Sequence, residues 1–120
     1  MISAQQRKFL AAIDLDGTLF GPDGTVGPDN LAALERLARH GFAIALASGR
    51  HPLNMTRIAA SLPMVGWIVG CQGGEVTDRN RRQILARTFM EPADVLTAAA
   101  AGHREGFGVV AYTVSGELTP

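Results

Sequence analysis

Two aspartates stand two residues apart at the point where an apolar run ends. Asp14 and Asp16 follow the segment Phe9 to Ile13, which predicts a short buried strand. Side chains at positions i and i+2 of a strand point the same way, so the two carboxylates share a face or crowd one cleft. They repel each other there unless a cation is bound, and Mg²⁺ with oxygen ligands is the usual choice. We interpret Asp14 as a carboxylate nucleophile or metal ligand and Asp16 as a general acid/base.

A second polar group follows the next apolar run. Ser48, Gly49 and Arg50 come directly after the segment 42–47, and ligands of open α/β sheets bind outside the carboxyl ends of the strands. The Ser48 hydroxyl can hold an anion, and the amide groups around Arg50 and His51 can form an anion site at the start of the next helix. The Thr18 hydroxyl can brace the first loop. For the Arg50 side chain three interpretations stay open: a surface arginine, a phosphate contact or a helix-cap contact. Phosphate transfer through an aspartyl-phosphate uses all of these parts.

The elements that must position these residues alternate between strands and helices. Apolar residues at helical spacing predict two helices, and continuous apolar runs predict strands that are covered on both faces. A βαβαβ order of this kind predicts a parallel sheet with right-handed crossovers. The predicted ranges are a strand at 9–13, a helix at 28–41, a strand at 42–47, a helix at 52–62 and a strand at 66–70.

The pattern changes after Gly74. We predict a hairpin over 75–89 with its turn at 78–81, a helix over 91–106 and a strand over 107–114. A boundary near 74–80 therefore divides the chain into an α/β part at 1–75 and the start of an α+β part at 76–120.

His51 and His103 lack the spacing of metal ligands, and we expect both to be solvated.

Composition excludes several classes of partner. The 120 residues suffice for one modest core, and 11 basic residues balance 11 acidic ones to a net charge of +0. No overall field attracts the chain to nucleic acid or to an anionic membrane, so a bound anion needs a local site. The apolar runs are too short for a membrane span or a signal peptide, and the single cysteine cannot form an internal disulfide. We expect a cytoplasmic protein.

The motifs "DLDGTL" and "ASGR", each closing an apolar strand, followed by a glycine turn after a third strand, resemble the haloacid dehalogenase-like phosphatases. The Cof-type branch, whose members are mostly sugar- and cofactor-phosphate phosphatases, is the most similar. The resemblance implies a partial Rossmann-like α/β core followed by the start of an α/β cap. It also implies that Asp14 is the nucleophile and a Mg²⁺ ligand, that Asp16 binds Mg²⁺ through its carbonyl and protonates the leaving oxygen, and that Ser48 holds the phosphoryl group.

The chain also departs from the pattern of that family. It reads Gln72-Gly-Gly where the branch usually has Asn-Gly-Ala. The family needs a later lysine and a later "GD…D" acidic motif, but the only lysine is Lys8 and no Gly-Asp pair occurs. We therefore expect the N-terminal part of such an enzyme, in which the apolar strand 9–13 is an unpaired edge that invites self-association.

Three functions follow from these observations. The first is a Mg²⁺-dependent phosphatase that acts on a small phosphorylated metabolite such as a sugar phosphate. The second is a catalytically incomplete fragment, or a remnant that binds phosphate or Mg²⁺ without turnover, which the missing lysine and acids favour. The third is a phosphoacceptor of the receiver type, which needs a more acidic first strand end and a partner lysine, neither of which is visible.

Overall fold

A mixed five-stranded sheet forms the centre of the computed structural model, which describes residues 9–118. Its spatial order follows the chain, from β1 to β5. The first three strands are parallel, and the last two are antiparallel to their neighbours. The predicted α/β, Rossmann-like class is confirmed. The strands are β1 (Phe9–Asp14), β2 (Phe42–Ala47), β3 (Val65–Gly70), β4 (Glu75–Asp78) and β5 (Ile84–Arg87).

Two helices connect the parallel strands. They are α1 (Pro28–Arg39) and α2 (Pro52–Ala60), and each begins with a proline, whose missing N–H costs nothing at a first helical position. The chain leaves α1 through Gly41, whose φ of 84° lies in the left-handed region that favours glycine. No helix within residues 9–118 is both long enough and apolar enough to cross a lipid bilayer.

The core lies between β2, β3 and the two helices. The continuous apolar run of β2 is buried at its centre, as expected for a strand covered on both faces. The helices contribute one apolar stripe each, and the turn after β1 contributes two leucines. The side chains with less than 2% exposure include Leu15, Leu34, Ile44, Leu46, Met55 and Ile68.

The second half of the chain adds a hairpin, a helix and a second sheet. The hairpin β4–β5 extends the central sheet, followed by α3 (Pro92–Arg104) and a separate two-stranded sheet of β6 (Ala111–Thr113) and β7 (Gly116–Leu118). The division at residues 1–75 and 76–120 stays a prediction.

The strand predicted over 107–114 is wrong in its first half. The Phe107 amide donates to the Gly102 carbonyl over 2.9 Å, so this segment closes the end of α3. A Cβ at Gly102 would lie 2.5 Å from Val109 Cγ2, which places Val109 directly against the helix. The segment therefore packs against the last turn of α3, and only Ala111–Thr113 pairs as a strand.

Strand β1 is an edge of the described sheet, because it pairs with β2 alone. Phe9 is 58% exposed and Leu10 is 64% exposed. We propose that this edge associates with a second copy of the chain, because an unpaired apolar strand offers free backbone groups to another strand.

Replacing Leu10 by lysine is expected to reduce that association, since a charge on an edge strand opposes pairing. Sedimentation equilibrium of the wild type is expected to show a mass that rises with concentration, and Leu10→Lys is expected to remain closer to the monomer mass. Leu96→Lys is the matched control, because Leu96 is similarly exposed but lies on α3. A wild type that stays monomeric at every concentration would contradict the proposal.

Candidate active site

The two aspartates are presented by a turn whose leucines are buried. Strand β1 ends at Asp14, and the chain then makes one wide helical turn over Leu15–Leu19, which the Phe20 amide closes by donating to the Leu15 carbonyl over 2.9 Å. Leu15 and Leu19 are 0% and 5% exposed, so the core fixes the turn while both aspartates stay exposed.

Asp16 does not lie on the strand, so of the two predicted arrangements the structure has one shared cleft and not one shared strand face. Its backbone has φ −72° and ψ 121° inside the turn, and Gly17 follows with φ 77°, a left-handed conformation that favours glycine. The turn, and not the alternation of a strand, therefore brings the second carboxylate beside the first.

Three strand ends converge on one cleft of about 490 Å³. The turn after β1, the loop after β2 and the loop after β3 all contribute to it, as the carboxyl ends of neighbouring parallel strands do. Thr18 does not line the cleft; its hydroxyl donates to Asp14 Oδ2 over 3.2 Å and braces the turn. The lining residues are Asp14, Asp16, Ser48, Gly49, Arg50, Gln72 and Tyr112.

Arg50 forms a two-pronged ion pair with Asp16 across the cleft. Nε donates to Asp16 Oδ2 over 2.9 Å, and Nη2 donates to Oδ1 over 2.7 Å. The guanidinium also lies over the Phe20 ring, 5.6 Å from its centroid. Hydrogen bonding from Arg50 holds the pKa of the Asp16 carboxyl below its usual value. In this arrangement Arg50 stabilises the ionised form of the Asp16 carboxyl.

The Ser48 loop is fixed by its own backbone. The Ser48 amide donates to the Val69 carbonyl over 2.9 Å, and the Gln72 amide donates to the Ser48 carbonyl over 3.2 Å. The hydroxyl oxygen accepts the Arg50 amide at 3.1 Å, which leaves the hydroxyl proton to donate to a ligand. The Arg50 amide, predicted as part of an anion site, is therefore occupied within the loop.

His51 is buried, contrary to the expectation that it is solvated. It is 2% exposed, and its Nδ1 accepts the Leu53 amide at 3.1 Å as the N-cap of α2. An amide can only donate, so Nδ1 carries no proton and Nε2 carries it. Nε2 then donates to the Thr113 carbonyl over 2.6 Å and joins the helix to the second sheet.

Two glycines let the loops approach each other closely. A Cβ at Gly70 would lie 2.6 Å from Pro52 Cγ and 3.1 Å from the Arg50 carbonyl oxygen, so a side chain there would displace backbone. A Cβ at Gly49 would lie 2.6 Å from Nε2 of Gln72, the end of a flexible side chain. Gly49 thus places the Gln72 amide against the Ser48 loop.

The donors in the cleft fit a hard cation such as Mg²⁺. The Asp14 carboxylate forms no salt bridge among residues 9–118, and carboxylate oxygens are ligands that Mg²⁺ prefers. Arg50 holds both carboxylate oxygens of Asp16, which leaves its backbone carbonyl oxygen as the ligand that the family resemblance implies. Over the same part of the chain, no cluster of three or more His, Cys, Asp or Glu side chains could hold a metal ion. The two aspartates alone fall short of such a cluster, and they stay candidate ligands because of their place in the cleft.

Sequence reasoning missed Tyr112. It lines the cleft with the two aspartates, although β6 lies in a different sheet. Nothing in the local pattern of this short strand indicates such a position, because it depends on how the second sheet packs against α2.

The fold and the cleft together define a class of protein. Residues 11–118 match the family of haloacid dehalogenase-like hydrolases, and this chain belongs to that family. A haloacid dehalogenase-like hydrolase from B. subtilis superposes with a TM-score of 0.83 at 25% identity, covering 92% of this chain and 39% of that one. A subclass IIB sugar phosphatase of the same superfamily shares the fold, with a TM-score of 0.79 at 18% identity, covering 91% of this chain and 42% of that one.

Curated relatives are similar over a shorter range. An HMP-PP phosphatase from Serratia proteamaculans is 40% identical over 86 residues, which cover 72% of this chain and 31% of that protein. An HMP-PP phosphatase from Escherichia coli strain K12 is 37% identical over 86 residues, with the same coverage of both chains. The matched part of the chain thus spans about a third of the length of these relatives.

Proposed function

We propose that this chain carries the nucleophile of a Mg²⁺-dependent phosphatase, which hydrolyses a small phosphorylated metabolite, such as a sugar phosphate, through an aspartyl-phosphate intermediate. The observation that carries the proposal is the convergence of Asp14, Asp16 and Ser48 on one cleft at the strand ends. Membership of the hydrolase family and the similarity to an HMP-PP phosphatase support both the class of reaction and a phosphorylated substrate.

The cleft supplies the groups for a two-step transfer. A carboxylate oxygen of Asp14 attacks phosphorus, the bond from phosphorus to the leaving oxygen breaks, and that oxygen takes a proton from Asp16. Water then attacks phosphorus of the phosphoaspartate while Asp16 accepts a proton from it, the bond from phosphorus to the Asp14 oxygen breaks, and inorganic phosphate leaves with the Asp14 carboxylate restored. The Ser48 hydroxyl donates to a phosphoryl oxygen in both steps. Mg²⁺ held by Asp14 and Asp16 would offset the charge of the phosphoryl group when bound.

Arg50 has to change partner during this reaction. Its bonds to Asp16 keep that carboxyl ionised, whereas the first step needs Asp16 protonated. A bound phosphoryl group offers the guanidinium a second anion in the same cleft, because Arg50 forms two-pronged bonds with phosphate as well as with carboxylate. Transfer of Arg50 from Asp16 to the phosphoryl oxygens removes the hydrogen bonds that hold the pKa of Asp16 below its ordinary value.

A second candidate is a module that binds phosphate or Mg²⁺ without turnover. The only lysine in the sequence is Lys8, which lies outside the described residues, and no Gly-Asp pair occurs. Phosphate-monoester hydrolysis needs rate enhancements of up to about 10²¹-fold, so a cleft that lacks these groups is expected to bind more readily than to react.

Removal of Mg²⁺ tests both candidates. The purified 120-residue chain is assayed for hydrolysis of a generic aryl phosphate and, by calorimetry, for binding of inorganic phosphate, with Mg²⁺, with EDTA, and after Mg²⁺ is restored. A phosphatase is expected to show turnover and binding with Mg²⁺, to lose turnover in EDTA, and to recover it. Binding without turnover would support the second candidate. A folded sample that neither binds nor hydrolyses would contradict both.

A further inference from the structure

Among residues 9–118, Tyr112 is the one residue of the second sheet that lines the cleft. It is the only tyrosine of the chain, and its residue surface is 47% exposed. The other lining residues, including Ser48 and Gln72, are polar or glycine. Tyr112 therefore supplies the only aromatic surface that a ligand in this cleft would meet within the described part of the chain.

Two hydrogen bonds hold the end of β6 beside the cleft. His51 Nε2 donates to the Thr113 carbonyl over 2.6 Å, and Arg81 Nη2 donates to the Val114 carbonyl over 2.6 Å. Both donors are themselves fixed. His51 is buried as the cap of α2, and the Arg81 side chain is 13% exposed and bonded to Glu75 at 2.6 Å. The hydrogen bond from His51 thus connects the backbone beside Tyr112 to α2, the helix that follows the Ser48 loop.

The Tyr112 ring packs beside a buried side chain of the protein. The ring lies beside that of His51, with centroids 6.0 Å apart and planes inclined by 33°, which supports it from the protein side.

We propose that Tyr112 is a specificity residue that stacks on the organic group of an aromatic or heteroaromatic phosphate monoester. This inference rests on the proposed function, in which Ser48 and Asp14 hold the phosphoryl group. A cleft of about 490 Å³ lies within the common range for small-ligand sites, roughly 300–1,000 Å³. Aromatic rings gain from offset stacking beyond the area that they bury, which corresponds to roughly a two- to tenfold gain in affinity. An aliphatic phosphate of the same charge lacks that gain.

The test compares two probes on the full 120-residue chain. Dissociation constants for phenyl phosphate, methyl phosphate and inorganic phosphate are measured with Mg²⁺ for the wild type, Tyr112→Leu and Tyr112→Phe. Leucine keeps an apolar side chain but removes the flat ring, and phenylalanine keeps the ring but removes the hydroxyl. The preference for phenyl over methyl phosphate is expected to fall about fivefold in Tyr112→Leu and to persist in Tyr112→Phe, with inorganic phosphate binding unchanged.

Each outcome decides the proposal. An unchanged preference in Tyr112→Leu, or a loss of preference in Tyr112→Phe, would overturn the stacking role without bearing on the proposed function. A wild type that prefers methyl phosphate would overturn it too. A wild type that binds no inorganic phosphate with Mg²⁺ would overturn the proposed function, and the role of Tyr112 would fall with it.

Discussion

Replacing Glu75 by glutamine is expected to lower the free energy of unfolding by about 2–3 kcal/mol. Glu75 is 6% exposed and accepts bonds from two arginines. Arg81 donates from Nε over 2.6 Å and from Nη2 over 3.0 Å, and Arg87 donates from Nε over 2.9 Å. Glutamine keeps the shape but removes the charge, which leaves two guanidinium groups, 13% and 26% exposed, without their counter-ion.

The same cluster predicts how stability depends on pH. The guanidinium of Arg81, and then that of Arg87, holds the pKa of the Glu75 carboxyl below its ordinary value of 4.5, against the opposing effect of burial. A carboxyl whose pKa is lower in the folded state stabilises the fold above its unfolded pKa, and that contribution is lost as pH falls through the folded pKa. The difference in the free energy of unfolding between wild type and Glu75→Gln is therefore expected to be largest at neutral pH and to shrink below about pH 4.5.

Urea unfolding followed by the fluorescence of Trp67, the single tryptophan, measures this difference at neutral and acidic pH. Glu35→Gln is the matched control, because Glu35 is exposed on α1, and it is expected to change stability by less than about 0.5 kcal/mol. A difference between wild type and Glu75→Gln that is as small as the control's, or that grows in acid, would contradict the role given to the cluster.

Local patterns in the sequence were enough to predict the central sheet. The continuous apolar run at 42–47 indicates a strand covered on both faces, and the structure buries its centre. The prolines at 28 and 52 and the glycine at 41 mark helix ends that the structure places within one or two residues of the predicted ones. These features depend on nearby residues, which is why a single sequence reveals them.

The contacts that shape the cleft could not be predicted in the same way. Arg50 pairs with Asp16 across 34 residues, and His51 bonds to Thr113 across 62. No periodicity of the sequence encodes such pairs, since they depend on how separate elements pack. The same limit explains why His51 was expected to be solvated and why Tyr112 was missed. The assignment of Asp14, Asp16, Ser48, Gly49, Thr18 and Arg50 to catalysis, metal binding or phosphate binding stays a prediction.

Replacing Asp14 by asparagine is expected to have the largest effect on chemistry. Asparagine has the same shape, but its neutral amide is a poor nucleophile and a weaker ligand for a hard cation. Any Mg²⁺-dependent turnover of an aryl phosphate is therefore expected to fall at least about a thousandfold, as is usual when a covalent nucleophile is removed. Calorimetric binding of inorganic phosphate is expected to lose its dependence on Mg²⁺ even if the chain turns over no substrate.

The fold is expected to survive this change, because Asp14 is exposed and the asparagine side-chain oxygen can still accept the hydroxyl of Thr18. An unchanged melting temperature then separates a lost function from a lost structure. Asp29→Asn provides the matched control, since Asp29 is exposed in the first turn of α1 and does not line the cleft. If Asp14→Asn kept both Mg²⁺-dependent turnover and Mg²⁺-dependent phosphate binding, Asp14 would be neither the nucleophile nor a metal ligand, and the reaction would have to start from another residue of the cleft.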